Sequence, residues 1–491
     1  MFPSNHDDRA DLPETGGPLY ERLAEHYRRV IASGALAPGD RMPSVRALMN
    51  QHRLSLATAL QAFRRLEDDG WLLAKPRSGY FVRHRPTTKL ATVLEPEIAS
   101  LPKPAQYVGL HERISRVIER TQAYPDALNL GGASAVTELY PTAALQSRAM
   151  KILRHRPTLL TEAGEDGGEV EFRQAVARRA LASGVAVSPD EVIVTTGGVE
   201  GVNLALRAVA QPGDTIAIES PAFFGLLQIL ESLGLRALEI PASPTTGLSL
   251  EALDIAFAAY ENVKALVIVP NLQNPVGCIM PDGRKAELVK LCARHGVAVI
   301  EDDPYRELAG PADAAKPLKA WDRDGGVIYC PSLNKVLAPG MRLGWMCAGR
   351  WHNRVKMLKF AQSRHNAILP QLVAAEFIGS GAFDRHLHQL RERLRAQREA
   401  TADAIARHFP AGTRLSPPPG GLFLWVGLPD GTQSDRLFEA ALTRGIRIAP
   451  GSIFSNSNRF DAFMRLSCPK PFDPDMDRAL HQLARLVEEI A

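Results

Sequence analysis

Between Val192 and Ala348 the chain repeats one pattern: a short apolar, β-rich run, then a stretch with helical spacing, then another run. The runs cover Val192 to Thr196, Thr215 to Glu219, Val263 to Pro270, Val297 to Asp302, Gly326 to Cys330 and Leu343 to Ala348. Helices are expected from about Val199 to Ala210, Phe223 to Leu233 and Asp282 to Arg294. Parallel strands need a long crossover, and a helix is the usual one, so this alternation predicts an α/β domain built on a mostly parallel sheet. Ligands of such sheets collect outside the strand ends, where loops converge. The strand ends are therefore where chemistry should be sought.

Several groups stand there. Gly197 and Gly198 open a helix after the first strand, and the free N–H groups of a helix start favour an anion. Phe223 follows the second strand as either a stacking ring or core. Asn274 sits in the turn Asn271-Leu272-Gln273-Asn274-Pro275-Val276-Gly277. In Glu301-Asp302-Asp303-Pro304-Tyr305 the next strand ends with a carboxylate, Asp302, and a phenol follows three residues later, Tyr305. Finally, Lys335 has a hydroxyl three residues before it, at Ser332, and a guanidinium seven residues after it, at Arg342, across the Pro339-Gly340 turn. Taken singly, each has a bland explanation: a lysine is usually solvated, and an acid at a strand end is usually a cap or an ion-pair partner. Together they meet the needs of pyridoxal phosphate, which requires an amine, a carboxylate for its ring nitrogen, donors for its phenolate oxygen, a stacking face and an anion cradle.

Their order resembles the fold-type I pyridoxal-phosphate enzymes of the aspartate aminotransferase class, over about residues 120 to 491. The resemblance implies that Lys335 carries the cofactor as a Schiff base and that Asp302 partners the ring nitrogen. It implies that Asn274 and Tyr305 serve the phenolate oxygen, and that Phe223 covers the ring. The backbone of Gly198 and Val199, with Ser332 and Arg342, would hold the phosphate. The segment Phe463-Met464-Arg465-Leu466-Ser467 is similar to the one whose arginine binds a substrate carboxylate, which makes Arg465 the candidate. Two positions depart from the family pattern. Ala163 stands where a tyrosine commonly reaches the neighbouring subunit's cofactor phosphate, so that contact is expected to be lost, and Asn334 replaces the usual Ser or Thr before the lysine.

The first eighty-odd residues follow another pattern. Leu19, Leu23, Tyr27, Val30 and Ile31 recur at helical spacing. A second helix opens at Ser44, and a third at Ser55 carries Ala59, Ala62, Phe63 and Leu66. Two short helices separated by a tight turn are the geometry of helix-turn-helix DNA readers. Beyond them, Trp71 to Ala74 and Tyr80 to Val82 flank a basic tip, as in a β-hairpin wing. Between Arg41 and Pro86 nine Lys or Arg face three Asp or Glu, although the whole chain carries only +4, so the cations cluster where a polyanion would bind. Residues 18 to 84 resemble the GntR-type winged helix through Arg41-Met42-Pro43-Ser44-Val45-Arg46-Ala47-Leu48, Leu66-Glu67-Asp68-Asp69-Gly70-Trp71 and Arg77-Ser78-Gly79-Tyr80-Phe81-Val82. The resemblance implies that Ser44 and Arg46 touch DNA, that Ser55, Thr58, Gln61 and Arg65 face the groove, and that Arg77 with Gly79 reaches the minor groove. Leu56 departs from the family's usual arginine.

A winged helix at 1–85, a proline-bearing linker at 86–110 and an aminotransferase-like domain at 111–491, its large part about 170–375, make the plan of the MocR subfamily of GntR regulators, which this chain resembles from end to end. That implies a homodimeric transcription regulator binding double-stranded DNA, with pyridoxal phosphate and an amine effector setting its state. The alternative is a working aminotransferase with an accessory DNA-binding module. No apolar stretch nears the roughly 18 residues that span a bilayer, and the start lacks a signal-peptide core, so no membrane partner and a cytoplasmic location are expected. Five cysteines without a Cys-x-x-Cys pair signal neither a disulfide frame nor a metal site.

Overall fold

The computed structural model describes residues 18–75, 78–83, 90–93, 105–107, 111–310 and 315–490. Arg77 and most of the expected linker lie outside these residues. The chain divides into two compact units, the first holding described residues up to 83 and the second nearly all the rest.

In the first unit, helices α1 (Leu19–Ala32), α2 (Val45–His52) and α3 (Leu56–Asp68) precede a hairpin of β1 (Leu72–Lys75) and β2 (Gly79–Val82). Ser44 and Ser55 each accept a hydrogen bond at 3.1 Å from a backbone amide of the helix they begin, Ala47 and Thr58 respectively. Such caps are worth about 1 kcal/mol each. Arg53, in the left-handed conformation, ends α2 and swings the chain into α3. Leu23, Leu48, Ala59, Ala62, Phe63, Leu66 and Leu72 close a core with no exposed surface. The wing is pinned to it by Phe63 stacked on Tyr80, ring centres 4.5 Å apart.

The second unit is built on one large sheet. Its strands run in the order Gln106–Tyr107, Arg236–Ser243, Thr215–Ser220, Val263–Ile268, Ala298–Asp303, Val327–Pro331, Gly344–Cys347 and Val192–Thr195. From Arg236–Ser243 to Val327–Pro331 the pairing is parallel, whereas Gly344–Cys347 runs antiparallel to both its neighbours. The alternation of runs thus gave the strands and crossover helices within a residue or two. The strand Arg236–Ser243, next to the outermost Gln106–Tyr107, and the helix Leu250–Ala259 had no counterpart among the expected elements. The described parts of the expected linker lie on this unit: Gln106–Tyr107 adds to the sheet edge, and Ala91 bridges Arg414. A smaller antiparallel sheet, Arg414–Leu415, Phe423–Gly427, Phe463–Ser467 and Ala449–Pro450, follows the long helix Gly381–His408. Among the described residues, no helix is long and apolar enough to cross a membrane, and the five cysteines are buried and form no disulfide.

A charge cluster ties the loop beyond the strand Ala298–Asp303 to two helices. Glu307 accepts from Arg179 at 2.9 Å and Arg306 at 3.2 Å, and Arg391 of the long helix lies 3.7 Å away. Burial alone would raise this carboxyl, but Arg306, Arg179 and Arg391 outweigh it and hold it down to about 2. Removing the acid would leave three guanidinium groups facing one another. Glu307→Ala is therefore expected to cost about 3–5 kcal/mol in urea unfolding of the full chain, the usual cost of breaking a buried pair from one side. Because the folded pKa lies below the unfolded value of about 4.3, the stabilisation is complete above that pH and disappears as pH falls towards 2.

Candidate cofactor site and DNA-binding surface

The first strand leads into a turn that only glycine permits. Gly197 has φ 82°, and a Cβ there would lie 2.6 Å from Asn334 Nδ2; one on Gly198 would lie 3.1 Å from Asp302 Oδ1 and 3.6 Å from Ser332 Cβ. The two missing side chains let Asp302, Ser332 and Asn334 close on the start of helix Gly198–Val209, whose leading amides are free of helical partners. Arg342, in the left-handed conformation and exposed, donates to Thr196 O at 3.3 Å on the same turn. Asn334 Oδ1 is buried without a partner. The turn therefore offers free amides, a hydroxyl and a guanidinium, the donors of an anion cradle; the Asn334 oxygen, an acceptor, is not one of them. Val199, the next residue, is half exposed, and Ala163 is exposed.

Lys335 and Asp302 face this cradle. The Lys335 amine donates to Ser134 Oγ at 3.4 Å. Burial, then the charges of Arg465 and Arg342, lower its pKa to about 8, against the pull of Asp302. Asp302, last but one in its strand, has no hydrogen bond or ion pair among the described residues; burial, then its neighbour Asp303, push it up to about 7, and Lys335 works the other way. An acid so placed lacks a cation. Beside it, Glu219 at the end of strand Thr215–Ser220 is buried and pushed up to about 8, although it accepts from Val269 N at 2.8 Å.

A chain of contacts runs on from there. Asn274 Nδ2 donates to Tyr305 Oη at 3.4 Å, and Arg465 Nη1 donates to Asn274 Oδ1 at 2.7 Å. Arg465 is 1% exposed, sits over the rings of Phe423 (4.4 Å) and Phe454 (5.2 Å), and also donates to Gly131 O at 2.6 Å. Its Nε has no partner, and burial lowers its pKa to about 10. Burial likewise raises Tyr305. Phe223 precedes helix Phe224–Ser232, and its ring packs on Phe224 at 4.9 Å and over Gly225. The fold thus gathers Gly198, Ser332, Asn274, Asp302, Tyr305, Lys335, Arg342 and Arg465. Ser134, Gly131, Glu219 and Tyr140 join them unannounced. Glu219 alone carried a signal, an acid closing an apolar run; the others lie on an irregular segment with no periodicity to read.

On the first unit, the side of α3 facing away from the core carries Ala57, Gln61 and Arg64, all exposed, with Leu56 at 54% beside them. Thr58 and Arg65 fall on its flank. Arg65 is engaged with Asp69 at 3.3 Å, an acid that also receives Arg28 at 2.6 Å, so Arg64 takes the outward place expected of Arg65. The Ser55 hydroxyl caps the helix and bonds Thr58 at 2.8 Å. Ser44 and Arg46 are exposed at the start of α2, and Gly79, with φ 99°, opens β2 beside the Arg41 guanidinium.

Residues 140–483 match the family described as aminotransferase class I and II, and residues 19–82 match bacterial regulatory proteins of the gntR family. The HTH-type transcriptional regulator YdcR of Escherichia coli, itself uncharacterised, is 34% identical over 96% of this chain and 99% of its own length. Among solved structures, the kynurenine aminotransferase of Pyrococcus horikoshii, in complex with PMP, superposes with a TM-score of 0.71 at 25% identity, covering 77% of this chain and 94% of that one. The α-aminoadipate aminotransferase LysN of Thermus thermophilus, complexed with N-(5'-phosphopyridoxyl)-L-leucine, gives 0.69 at 26% identity over 78% and 99%. A domain of this class implies pyridoxal phosphate as its cofactor. With a GntR winged helix ahead of an aminotransferase domain, and a regulator of the same plan matched along its whole length, the chain belongs to the MocR type of GntR transcription regulators.

Proposed function

We propose that this chain is a DNA-binding transcription regulator whose second unit holds pyridoxal phosphate on Lys335 and senses an amino compound. The observation that carries this reading is Asp302, a carboxyl with no bonded cation among the described residues, raised to about 7 by burial and by Asp303, in the same site as a lysine that burial lowers to about 8. A protonated pyridine nitrogen would supply that cation, and a phosphate would satisfy the cradle at Gly198, Val199, Ser332 and Arg342. Bound there, the cofactor would act as an electron sink for an amine. Asn274 and Tyr305 would orient its phenolate oxygen, Phe223 would limit the ring's movement, and Arg465 would hold the carboxylate of an amino acid through paired donors. Effector binding alters DNA binding only if the two states of the protein bind the effector unequally.

Homodimerisation belongs to the same reading. Exposed Val199 stands on one of two packed helices, and Met357 and Phe360, 68% and 46% exposed, stand on the other, His352–Gln362. Arg342, a phosphate candidate, is itself exposed. A second copy would cover both. A working aminotransferase is the second reading, favoured by the completeness of the set around Lys335; steady turnover of an amino acid with a keto acid at about 1 per second or faster would establish it.

Full-length protein mixed with pyridoxal phosphate is expected to gain a visible absorbance band that borohydride bleaches, and Lys335→Ala to show none; a band surviving that substitution would refute the attachment. Cofactor uptake should speed up with pH with a midpoint near 8, because only the uncharged amine reacts and the pKa is lowered to about that value; stopped-flow absorbance across pH 6 to 10 reads it. On the other unit, Arg64→Ala should weaken binding to the chain's own upstream DNA and reduce the salt slope by about one. Arg65→Ala should change the slope less and lower the melting temperature instead.

A further inference from the structure

The stretch from Gly131 to Tyr140 brings one hydroxyl to the Lys335 amine and a second one beside the first. Ser134 Oγ accepts from Lys335 Nζ at 3.4 Å. Tyr140 lies beside Ser134 and the Ala135 amide, yet its hydroxyl is buried and makes no well-directed hydrogen bond. The backbone holds that ring firmly in place: Tyr140 N donates to Thr137 O at 3.1 Å, Thr142 N donates to Tyr140 O at 2.9 Å, and Leu139 just before it is buried. An orphaned buried hydroxyl is costly and calls for a partner. Burial also raises the Tyr140 pKa, so the hydroxyl stays protonated and can donate. Ser134 can donate or accept.

We propose that Ser134 and Tyr140 are the specificity-determining pair of the effector site, selecting an amino acid that carries a neutral hydrogen-bonding oxygen close to its amine. This rests on the proposed reading of Lys335 as the reacting amine. Because Ser134 lies within one hydrogen bond of that amine, the oxygen must sit on the carbon next to the amine-bearing carbon. Two cations stand near the pair, Lys335 itself and Arg465, which donates to the Gly131 carbonyl and whose charge acts on Lys335; under the proposed reading the effector's own carboxylate takes Arg465, so a neutral hydroxyl fits the pair better than a second carboxylate. A hydrocarbon in the same place would leave the Tyr140 donor buried and unpaired. Sites built around such donors reject the isostere that lacks the partner.

L-serine and L-2-aminobutyrate differ by a hydroxyl in place of a methyl and form the test pair. Each is titrated into full-length protein loaded with pyridoxal phosphate, with the shift of the visible spectrum as the reading. Wild type should bind serine at least about tenfold more tightly, the worth of one hydrogen bond. Tyr140→Phe and Ser134→Ala should each bring that ratio towards one. A wild type without preference, a ratio unchanged in both variants, or an equal weakening of both amines would overturn the assignment and leave the pair a structural one. If wild type takes up no cofactor, the reading of Lys335 fails instead, and the same two titrations followed by calorimetry then decide the hydroxyl pair.

Discussion

The site depends on how closely backbone can approach backbone at Gly197 and Gly344. A Cβ on Gly344 would lie 2.9 Å from Gly197 Cα, and one on Gly197 would strike Asn334. With side chains at these positions the antiparallel strand Gly344–Cys347 could not sit against Val192–Thr195 in its present register, in which Gly344 pairs with Thr195. That register sets the distance from the phosphate-type turn to the Ser332–Arg342 segment. Lys335, Ser332 and Arg342 thus owe their place beside Asp302 to two absent methyl groups. The constraint is steric, and the electrostatics of the site follow from it.

Those electrostatics are unusual for a sheet end. Glu219, Glu301, Asp302 and Asp303 all stand near the carboxyl ends of parallel strands, and three of them are pushed up to between about 7 and 8 by burial. Each finds a different remedy. Glu301 accepts the amides of Leu318 and Lys319 at 2.7 and 2.9 Å, Asp303 takes Arg306 and Tyr329, and Glu219 takes the Val269 amide. Asp302 alone among these four has no donor of its own, which is why it reads as the acid reserved for a ligand.

Strand and helix positions were legible in the sequence because buried parallel strands are short apolar, β-branched runs that alternate here with longer stretches of helical spacing. Arg236–Ser243 escaped notice because Glu239 and Pro241 interrupt it; the fold tolerates that acid by bonding it to Ser220, Ser455 and the Asn456 amide. Asp302, Tyr305 and Arg465 could be found because each sits in a strand or just past its end, and Lys335 and Asn274 because the Pro339-Gly340 and Asn274-Pro275 turns beyond strand ends mark their segments. Ser134 and Tyr140 could not, since an irregular segment carries no periodicity from which a direction can be read. That Arg64 stands further out than Arg65 was hidden for another reason. Adjacent residues on a helix point 100° apart, and the ion pair to Asp69 that turns Arg65 aside is visible only once α1 and α3 are packed.

Arg465 offers a last consequence. Its guanidinium is not waiting empty: it already donates to Asn274 Oδ1 and to the Gly131 carbonyl, between two aromatic rings. A carboxylate arriving there must displace bonds that already exist, so its affinity is the difference between two well-bonded states. Such an exchange gives weak and rapidly reversible occupancy. Under the proposed reading, the arginine then works as a set-point: it places the threshold of response high, in the range where a free amino compound is abundant, and lets the signal fall as soon as the pool does.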